Sequence, residues 1–246
     1  MPIALGKSRL PDGMRLYAVG DVHGCLKQLN RVIAAIEADR EKRPAPKSGI
    51  IFLGDYLDRG PESKGVVTRL IHLMARDKSV LCLAGNHDLA LQKFLDFPLD
   101  TGENYFSNGG ASTLRSYGVR VPRPPFTKRE VKEIVAYAQQ LIPVNHLHFF
   151  ATLPHGAEYG DYFFCHAGIR PGVALDKQSP EDLMWIRRDF LDYKKPLEKV
   201  VVHGHTPRDD VEFHKNRISV DTRCFASGKL SCVVLEGKDY RVLKTL

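Results

Sequence analysis

Aspartate, histidine and asparagine residues recur in five short motifs of this chain, each of which contains glycine. The motifs are Gly20-Asp21-Val22-His23-Gly24, Gly54-Asp55-Tyr56-Leu57-Asp58-Arg59-Gly60, Gly85-Asn86-His87-Asp88, His166-Ala167-Gly168 and Gly204-His205-Thr206-Pro207. Carboxylate, amide and imidazole groups without cysteine thiolates form a mixed oxygen and nitrogen ligand set. Such a set suits Mn, Fe, Zn or Co better than a structural zinc site. The motifs therefore predict a metal centre.

Asp55 is the natural bridging ligand for a pair of metal ions, because its motif follows the middle one of three predicted strands. Two ions about 3.5–4 Å apart need a carboxylate that binds both. The other predicted ligands are Asp21 and His23 for one ion, and Asn86, His166 and His205 for the other. A water between two such ions loses a proton near neutral pH and becomes a nucleophile, while phosphoryl oxygens bind the ions directly. The predicted reaction is the hydrolysis of a phosphoester.

Each motif follows a short apolar run that predicts a buried strand. The runs are residues 14–19, 50–53, 80–83, 161–165 and 199–202. Ligands in α/β folds bind at the carboxyl ends of strands. A single Gly-Asp pair after a strand is more often a turn than a site, but five repeats of one pattern indicate that these side chains share one place.

The first half of the chain predicts strands that alternate with helices. Leu29, Ile33 and Ile36 recur at helical spacing after the first motif, and Val67 and Leu70 do so after the second. This order is typical of parallel strands joined by crossover helices. Residues 96–126 lack such periodicity and predict a long excursion over the surface. Residues 127–141 predict a helix with Thr127 as N-cap and Glu130 at the capping-box position, so that about 96–142 would form a small cap beside the site.

The second half predicts a second, largely antiparallel set of strands. Its short β-rich runs lie around 149–153, 161–165, 199–202, 217–220, 230–235 and 240–243. A short helix starting at Pro180 would contain Trp185, Arg187 and Arg188. We therefore expect two sheets packed face to face with helices outside.

Composition excludes several classes of protein. The net charge of +7, from 36 Lys and Arg against 29 Asp and Glu, is spread along 246 residues and favours anionic substrates, although a solvated basic surface explains it equally well. No segment of transmembrane length and no nucleic-acid recognition motif is apparent, so we expect no membrane contact and no stable nucleic-acid complex.

Five cysteines without CxxC spacing, and no secretory signal, predict reduced thiols in a cytoplasmic protein. Oligomeric state is not indicated.

The five motifs, in this order, resemble the signature of the phosphoprotein phosphatase branch of the metallophosphoesterases. This branch contains serine/threonine phosphatases and bacterial diadenosine tetraphosphatases. The resemblance implies a single metallophosphoesterase domain over residues 1–246, built as a four-layer α/β/β/α sandwich of two mixed β-sheets flanked by helices. It also implies a metal-dependent phosphatase with two divalent ions, Mn²⁺ first and Fe, Zn or Co as alternatives, and direct attack by metal-bound hydroxide without a phosphoenzyme.

The resemblance also assigns roles to individual residues. His87 would be the general acid that protonates the leaving oxygen, with Asp58 orienting its imidazole. Arg59 would bind the phosphate, and Arg187 resembles a second phosphate-binding arginine, although it could equally be an arginine on a surface helix. His203 has no counterpart in the pattern, and we expect it to be a packing residue.

Substrate preference is divided between two groups of this branch. Protein phosphatases usually carry arginine where this chain has Ala84, whereas Asp58-Arg59 is the protein phosphatase form. Our first expectation is a serine/threonine protein phosphatase. The alternative is a symmetrical bis(5′-nucleosyl)-tetraphosphatase or a related nucleotide or RNA-cap pyrophosphohydrolase, so the substrate would be a phosphorylated protein or a nucleotide. A non-catalytic anion binder is disfavoured, because all six predicted metal ligands are present.

Overall fold

The computed structural model describes residues 2–243 and contains two five-stranded sheets. In spatial order, the first sheet consists of β10 (Asp239–Val242), β9 (Cys232–Glu236), β1 (Met14–Val19), β2 (Lys47–Phe52) and β3 (Val80–Cys82). The second consists of β4 (Gly156–Tyr159), β5 (Tyr162–Cys165), β6 (Val200–His203), β8 (Arg217–Ser219) and β7 (Glu212–Phe213). Strands β1, β2 and β3 are parallel, as the alternation of strands and helices predicted.

The two sheets pack face to face because alternate side chains of a strand point to opposite faces. Leu16 and Ala18 of β1 belong to the core between the sheets, together with Phe164 of β5. Tyr17 and Val19 of β1 face the other way and pack under helices. These helices are α1 (Leu26–Lys42), α2 (Ser63–Arg76), α3 (Asn86–Asp96), α4 (Pro98–Ser107), α5 (Gly110–Ser116), α6 (Lys128–Leu141) and α7 (Val144–Ala151).

Two short helices cover the outer face of the second sheet. They are α8 (Pro180–Trp185) and α9 (Arg188–Leu191), and Leu183 and Phe190 pack there against Phe163. The predicted sandwich of two mixed sheets flanked by helices is therefore confirmed. The single predicted helix after Pro180 is wrong in extent, because α8 ends at Trp185 and Arg187 lies between two helices. No helix within residues 2–243 is both long enough and apolar enough to cross a bilayer.

Pairing of the second-half strands differs from the prediction. Strands β9 and β10 join the first sheet, where β9 runs antiparallel to β1 with Val233 opposite Ala18. The second sheet is mixed, because β5, β6 and β8 are parallel while β4 and β7 are antiparallel to their neighbours. The expectation of a largely antiparallel second set was wrong, because strand composition alone does not specify which neighbour a strand pairs with.

Two segments predicted without helices are helical. Residues 96–126 contain α4 and α5, and Tyr105 of α4 is buried with its ring centroid 4.5 Å from that of Phe94. The run around 149–153 was predicted as a strand, but most of it lies in α7. The capping box at the start of α6 is confirmed. The backbone N–H of Glu130 donates to Thr127 Oγ1 at 3.2 Å, and the backbone N–H of Thr127 donates to Glu130 Oε2 at 2.8 Å.

Candidate metal centre and active site

The predicted site residues follow the carboxyl ends of β1, β2, β3, β5 and β6, and five of them have an unusual backbone. His23, Asp55, Asp58, Arg59 and His205 adopt left-handed conformations with φ between 43° and 68°. Conformations of this kind cost about 1–3 kcal/mol each when a side chain is present. Hydrogen bonds from the surrounding strands and loops offset that cost and fix the directions of these side chains.

Asp21, at the end of β1, is held against the end of β6. Its carboxylate accepts hydrogen bonds from the backbone N–H of His205 at 3.0 and 3.2 Å. A Cβ atom on Gly204 would lie 2.0 Å from Asp21 Oδ1, so only glycine allows this approach. Burial raises the pKa of Asp21 well above its usual range, and the nearby carboxylates of Asp221 and Asp55 raise it further. A cation beside these carboxylates would reduce the electrostatic repulsion between them.

Asp55 lies at the centre of the site. Its Oδ2 atom is 3.3 Å from His166 Nε2 and 3.5 Å from His23 Nε2. Its Oδ1 atom accepts a hydrogen bond from the backbone N–H of His87 at 2.9 Å. Burial alone would raise the pKa of Asp55, but the neighbouring His166 and His87 outweigh burial and hold it well below its usual range. The group is therefore an anionic carboxylate surrounded by imidazoles.

Potential ligand atoms form two clusters that share Asp55. One cluster contains His23, Asp55 and His87, and the other contains Asp55, His166 and His205, with the ligand atoms of each cluster within 4.8 Å of one another. Asn86 joins the second cluster, because its Oδ1 atom is 2.9 Å from His166 Nε2. Asp21 belongs to neither cluster in this conformation, and its role as a ligand stays a prediction.

The second cluster fits a divalent metal ion. His166 Nδ1 donates to the carbonyl oxygen of Leu53 at 2.9 Å, which directs its Nε2 atom towards the cluster. That atom faces Asn86 Oδ1 at 2.9 Å and His205 Nδ1 at 3.2 Å. Burial and the neighbouring His166 lower the pKa of His205 to about 2, so its imidazole is neutral. Imidazole nitrogens and amide and carboxylate oxygens that converge in this way are a donor set that a divalent cation binds.

The first cluster has the same features. His23 Nδ1 donates to the carbonyl oxygen of Leu57 at 2.7 Å, so its Nε2 atom is an acceptor and faces Asp55. Burial lowers the pKa of His23 to about 3, which keeps the imidazole neutral. Both clusters thus offer a neutral imidazole and the shared carboxylate, the donor set of a dinuclear centre.

Residues 14–235 match the family model for calcineurin-like phosphoesterases. The chain belongs to this family. It is a phosphoester hydrolase, and the expected resemblance to the metallophosphoesterases is confirmed. The family match and the two clusters support a dinuclear metal centre in this phosphoesterase.

Two curated relatives align over most of this phosphoesterase. The asymmetrical bis(5′-nucleosyl)-tetraphosphatase PrpE of Oceanobacillus iheyensis is 23% identical, and the alignment covers 92% of this chain and 91% of that protein. The PrpE protein of Bacillus mycoides is 24% identical, with 89% of each chain covered.

Solved structures share the fold. One that is provisionally described as a diadenosine tetraphosphatase superposes with a TM-score of 0.62 at 22% identity, and covers 94% of both chains. A serine/threonine phosphatase from Saccharomyces cerevisiae superposes with a TM-score of 0.53 at 16% identity, over 95% of this chain and 81% of that one. At such low identity these likenesses support the architecture alone.

His87 and Asp58 form a buried pair beside the two clusters. His87 Nδ1 lies 2.7 Å from Asp58 Oδ2, which leaves His87 Nε2 facing the site. Burial alone would lower the pKa of His87, but the carboxylates of Asp55 and Asp58 outweigh burial and raise it. The structure thus brings the predicted acid and its predicted orienting residue into direct contact. Their roles in the reaction remain proposals.

Arg59 connects the two imidazoles of the first cluster. Its guanidinium donates to His23 Nε2 at 3.2 Å, and its Nη2 atom lies 3.1 Å from His87 Nε2. A metal ion bound to His23 Nε2 would have to replace the first of these hydrogen bonds. The guanidinium is therefore placed within reach of any phosphate that contacts this cluster, and the phosphate-binding role of Arg59 stays a prediction.

Arg187 lies beside the second cluster. Its Nη1 atom is 3.5 Å from Thr206 Oγ1, and Thr206 is the residue that follows His205 in the chain. Arg187 is exposed, and the exposed ring of Trp185 lies 6.3 Å from the ring of His205. Arg187 therefore borders the second cluster and is not a remote surface arginine.

Sequence reasoning assigned no role to two residues that shape the site. Thr113 Oγ1 donates to Asp58 Oδ1 at 2.7 Å and accepts from the backbone N–H of Asp58 at 2.8 Å. The carboxylate of Asp88 accepts hydrogen bonds at 3.0 Å from the backbone N–H groups of Asp55, Tyr56 and Gly85. Asp88 was visible as the fourth residue of its motif, whereas Thr113 lies in a segment without a motif.

His203 is a packing residue, as expected. It is fully buried, with its Nε2 atom 2.9 Å from Ser219 Oγ and its ring 5.1 Å from that of Phe190. All five cysteines lie within the described residues and are buried free thiols.

Proposed function

We propose that this phosphoesterase hydrolyses bis(5′-nucleosyl) tetraphosphates by the asymmetrical cut, giving a nucleoside triphosphate and a nucleoside monophosphate. The proposal rests on the PrpE relatives, which carry this name and align over about nine-tenths of both chains. Their names favour the asymmetrical reaction over the symmetrical one that the sequence led us to consider. We propose Mn²⁺ as the metal, with Fe, Zn and Co as the alternatives.

The charges around the site support a polyphosphate substrate. Arg59 borders the first cluster and Arg187 borders the second, so each cluster has a guanidinium beside it. Planar guanidinium groups bind phosphate oxygens with two hydrogen bonds each. A chain of four phosphates carries charge on both sides of the cleaved bond, whereas a phosphoserine carries a single phosphate. The position where protein phosphatases usually have arginine is Ala84, a buried residue whose backbone N–H donates to the carbonyl oxygen of Pro154.

Each step of the proposed reaction uses side chains placed by the fold. Two divalent ions, held by the two clusters that share Asp55, would polarise the phosphoryl oxygens and lower the pKa of a water molecule. His87 protonates the oxygen of the leaving nucleotide from its Nε2 atom, because its Nδ1 atom is held by Asp58. Arg59 and Arg187 hold the phosphates in line for attack.

We propose that residues 96–142 form a cap within a single domain. This segment contacts the site directly, because Thr113 binds Asp58 and the carbonyl oxygen of Gly109 accepts from the backbone N–H of Arg59 at 3.4 Å. Helix α4 also packs against α3, which begins at Asn86 and His87. The cap would therefore line one wall of the substrate groove.

A serine/threonine protein phosphatase is the second candidate, and it was our first expectation from the sequence. The contact of Asp58 with His87 favours it, since Asp58 followed by Arg59 resembles the protein phosphatase form of this motif. Both candidates need the same metal ligands and the same acid, so substrate comparison must separate them.

The test is a side-by-side assay of the manganese-loaded protein on diadenosine tetraphosphate and on a phosphothreonine peptide, with products separated by anion-exchange chromatography. We expect a higher kcat/KM on the dinucleotide, with ATP and AMP as products, and loss of activity in His87→Ala. Two ADP molecules would establish the symmetrical reaction instead. A higher kcat/KM on the peptide would reject the tetraphosphatase and favour the second candidate.

A further inference from the structure

An exposed aromatic ring lies at the edge of the first cluster. Phe225 is 39% exposed, and its ring centroid is 4.7 Å from Cζ of Arg59 and 5.4 Å from the ring of His23. Single exposed apolar residues are common on proteins and need no explanation by themselves. Phe225 differs in position, because its ring contacts His23, a candidate metal ligand, and Arg59, the arginine that we propose binds the phosphate.

The loop that carries Phe225 is held in one conformation. It joins β8 to β9 and contains the short helix α10 (Cys224–Ser227). Thr222 Oγ1 donates to the carbonyl oxygen of Lys229 at 2.8 Å, and Ser227 Oγ donates to that of Thr222 at 2.7 Å. Cys224 is buried, so the next side chain along the turn is directed outward. Phe225 is therefore presented by a fixed turn at the mouth of the site.

Arg223, at the start of this turn, adopts a left-handed conformation with φ of 55°. The conformation is stabilised by a hydrogen bond from its backbone N–H to Asp221 Oδ1 at 2.8 Å. Left-handed residues held by their surroundings are concentrated at functional sites. The other described non-glycine residues with this backbone are the five site residues named above. The turn thus shares the backbone feature that marks the site.

We propose that Phe225 is a stacking platform for a nucleobase of the substrate. A nucleotide places its base one ribose away from its phosphate, so a phosphate held at Arg59 directs the base towards the neighbouring ring. Aromatic rings and arginine guanidiniums are the groups on which proteins stack bases. This inference rests on the proposed nucleotide substrate and deepens it, since it names the group that recognises the nucleoside part.

A different role for the same ring makes a different prediction. If Phe225 only positioned Arg59 through the cation–π contact, its loss would weaken every phosphate ligand equally. If it stacks on a base, its loss weakens only ligands that carry one. The comparison of two ligands that differ only in the base therefore separates the two roles.

The experiment uses competition on the manganese-loaded protein with p-nitrophenyl phosphate as the reporter substrate. Inhibition constants are measured for AMP and for ribose 5-phosphate, which has the same phosphate and sugar but no base. Because base stacking on an aromatic side chain contributes about 1–3 kcal/mol, AMP should bind about fivefold or more tightly than ribose 5-phosphate. In Phe225→Ala this ratio should fall to about one, and Phe225→Trp should retain it.

Tyr240→Ala is the matched control. Tyr240 is also 39% exposed, but it lies on β10 and packs against Phe213. The control should keep the wild-type ratio. Equal inhibition by AMP and ribose 5-phosphate in the wild type would overturn the proposal that Phe225 stacks on the base. A ratio of inhibition constants that is unchanged in Phe225→Ala would also overturn it.

Hydrolysis of diadenosine tetraphosphate by the wild type is measured in parallel. If the dinucleotide is cleaved while AMP shows no advantage, the proposed function holds and the platform is rejected. If the dinucleotide is not cleaved while Phe225→Ala still abolishes the advantage of AMP, the platform holds for a mononucleotide and the tetraphosphatase assignment is rejected.

Discussion

His87 Nδ1 and Asp58 Oδ2 are 2.7 Å apart, and both side chains are almost completely buried. The carboxylate of Asp58 is itself fixed, because Thr113 donates to its other oxygen. The imidazole is thereby locked with Nε2 towards the site, and the carboxylates of Asp58 and Asp55 raise the pKa of His87 in spite of its burial. A raised pKa keeps the proposed acid protonated over a wider range of pH.

Asp58→Asn should move the alkaline limb of the pH profile of kcat/KM to lower pH. The protonated form of His87 is the active one, so activity is lost as pH rises through its pKa, and removing the Asp58 charge lowers that pKa. We also expect kcat to fall by up to about a hundredfold, because a positioned general acid contributes about a hundredfold to ten-thousandfold and its imidazole would be oriented less well. The measurement is a pH series of initial rates on diadenosine tetraphosphate. A slower enzyme with an unmoved alkaline limb would contradict the role of Asp58.

Thr113→Val should lower kcat with little change in KM. The variant removes the donor to Asp58 Oδ1 and the acceptor for the Asp58 backbone N–H, so the imidazole is oriented less well. Buried polar groups left without a partner also cost about 1–3 kcal/mol of folding free energy, which denaturant unfolding measures. Thr113→Ser keeps the hydroxyl and should restore kcat. If the serine variant is as slow as the valine variant, the hydroxyl has no positioning role.

Thr127→Ala should destabilise the fold by about 1 kcal/mol, the usual cost of losing an N-cap side chain. Thr127 caps α6 through its hydroxyl, which accepts from the backbone N–H of Glu130. Thr127→Ser, which keeps the hydroxyl, is the control and should be near wild type. Urea unfolding compares the three proteins, and an unchanged midpoint in Thr127→Ala would show that the capping box contributes nothing to stability.

The convergence of the candidate site residues was easier to predict from the sequence than the short helices and strand pairings around them, for a physical reason. Asp21, Asp55 and His166 follow their strands within three residues, so strand prediction alone places them at the carboxyl ends of strands. The hydrogen bond between Thr113 and Asp58 could not be predicted in this way. Thr113 is 55 residues away along the chain, and its contact depends on how α5 packs against α2.

The errors in the fold have equally specific causes. Helices α4 and α5 are short and contain Gly102 and Gly110, residues of low helix propensity, so packing against α3 and α2 and not local sequence stabilises them. The aromatic pair Phe149 and Phe150 suits a strand and a helix equally well, because a short apolar run has no distinctive period. The pairing of β9 with β1 joins residues more than 200 positions apart, which no local pattern encodes.

Binding of Mn²⁺ should raise the melting temperature, and the increase should depend on Asp55. The two clusters share this carboxylate, so Asp55→Asn removes a charged ligand from both. A ligand at a hundred times its Kd stabilises a protein by about 2.7 kcal/mol. For a chain of this size that corresponds to an increase of about 5–10 °C. Calorimetric unfolding with and without Mn²⁺ measures the increase, which should be largely absent in Asp55→Asn.

His205→Ala removes a ligand from the second cluster alone and should reduce the stoichiometry of Mn²⁺ binding from two to one, as measured by titration calorimetry. The residue is a suitable target because its pKa of about 2, lowered by burial and by His166, leaves it neutral and able to bind a metal throughout the usable pH range. His148→Ala, which removes an exposed histidine from α7, is the matched control and should keep both the stoichiometry and the thermal shift. Two ions bound with unchanged affinity in His205→Ala would exclude His205 as a ligand.

A full thermal shift in Asp55→Asn would exclude Asp55 as the bridge, because each cluster would then hold its ion without the shared carboxylate.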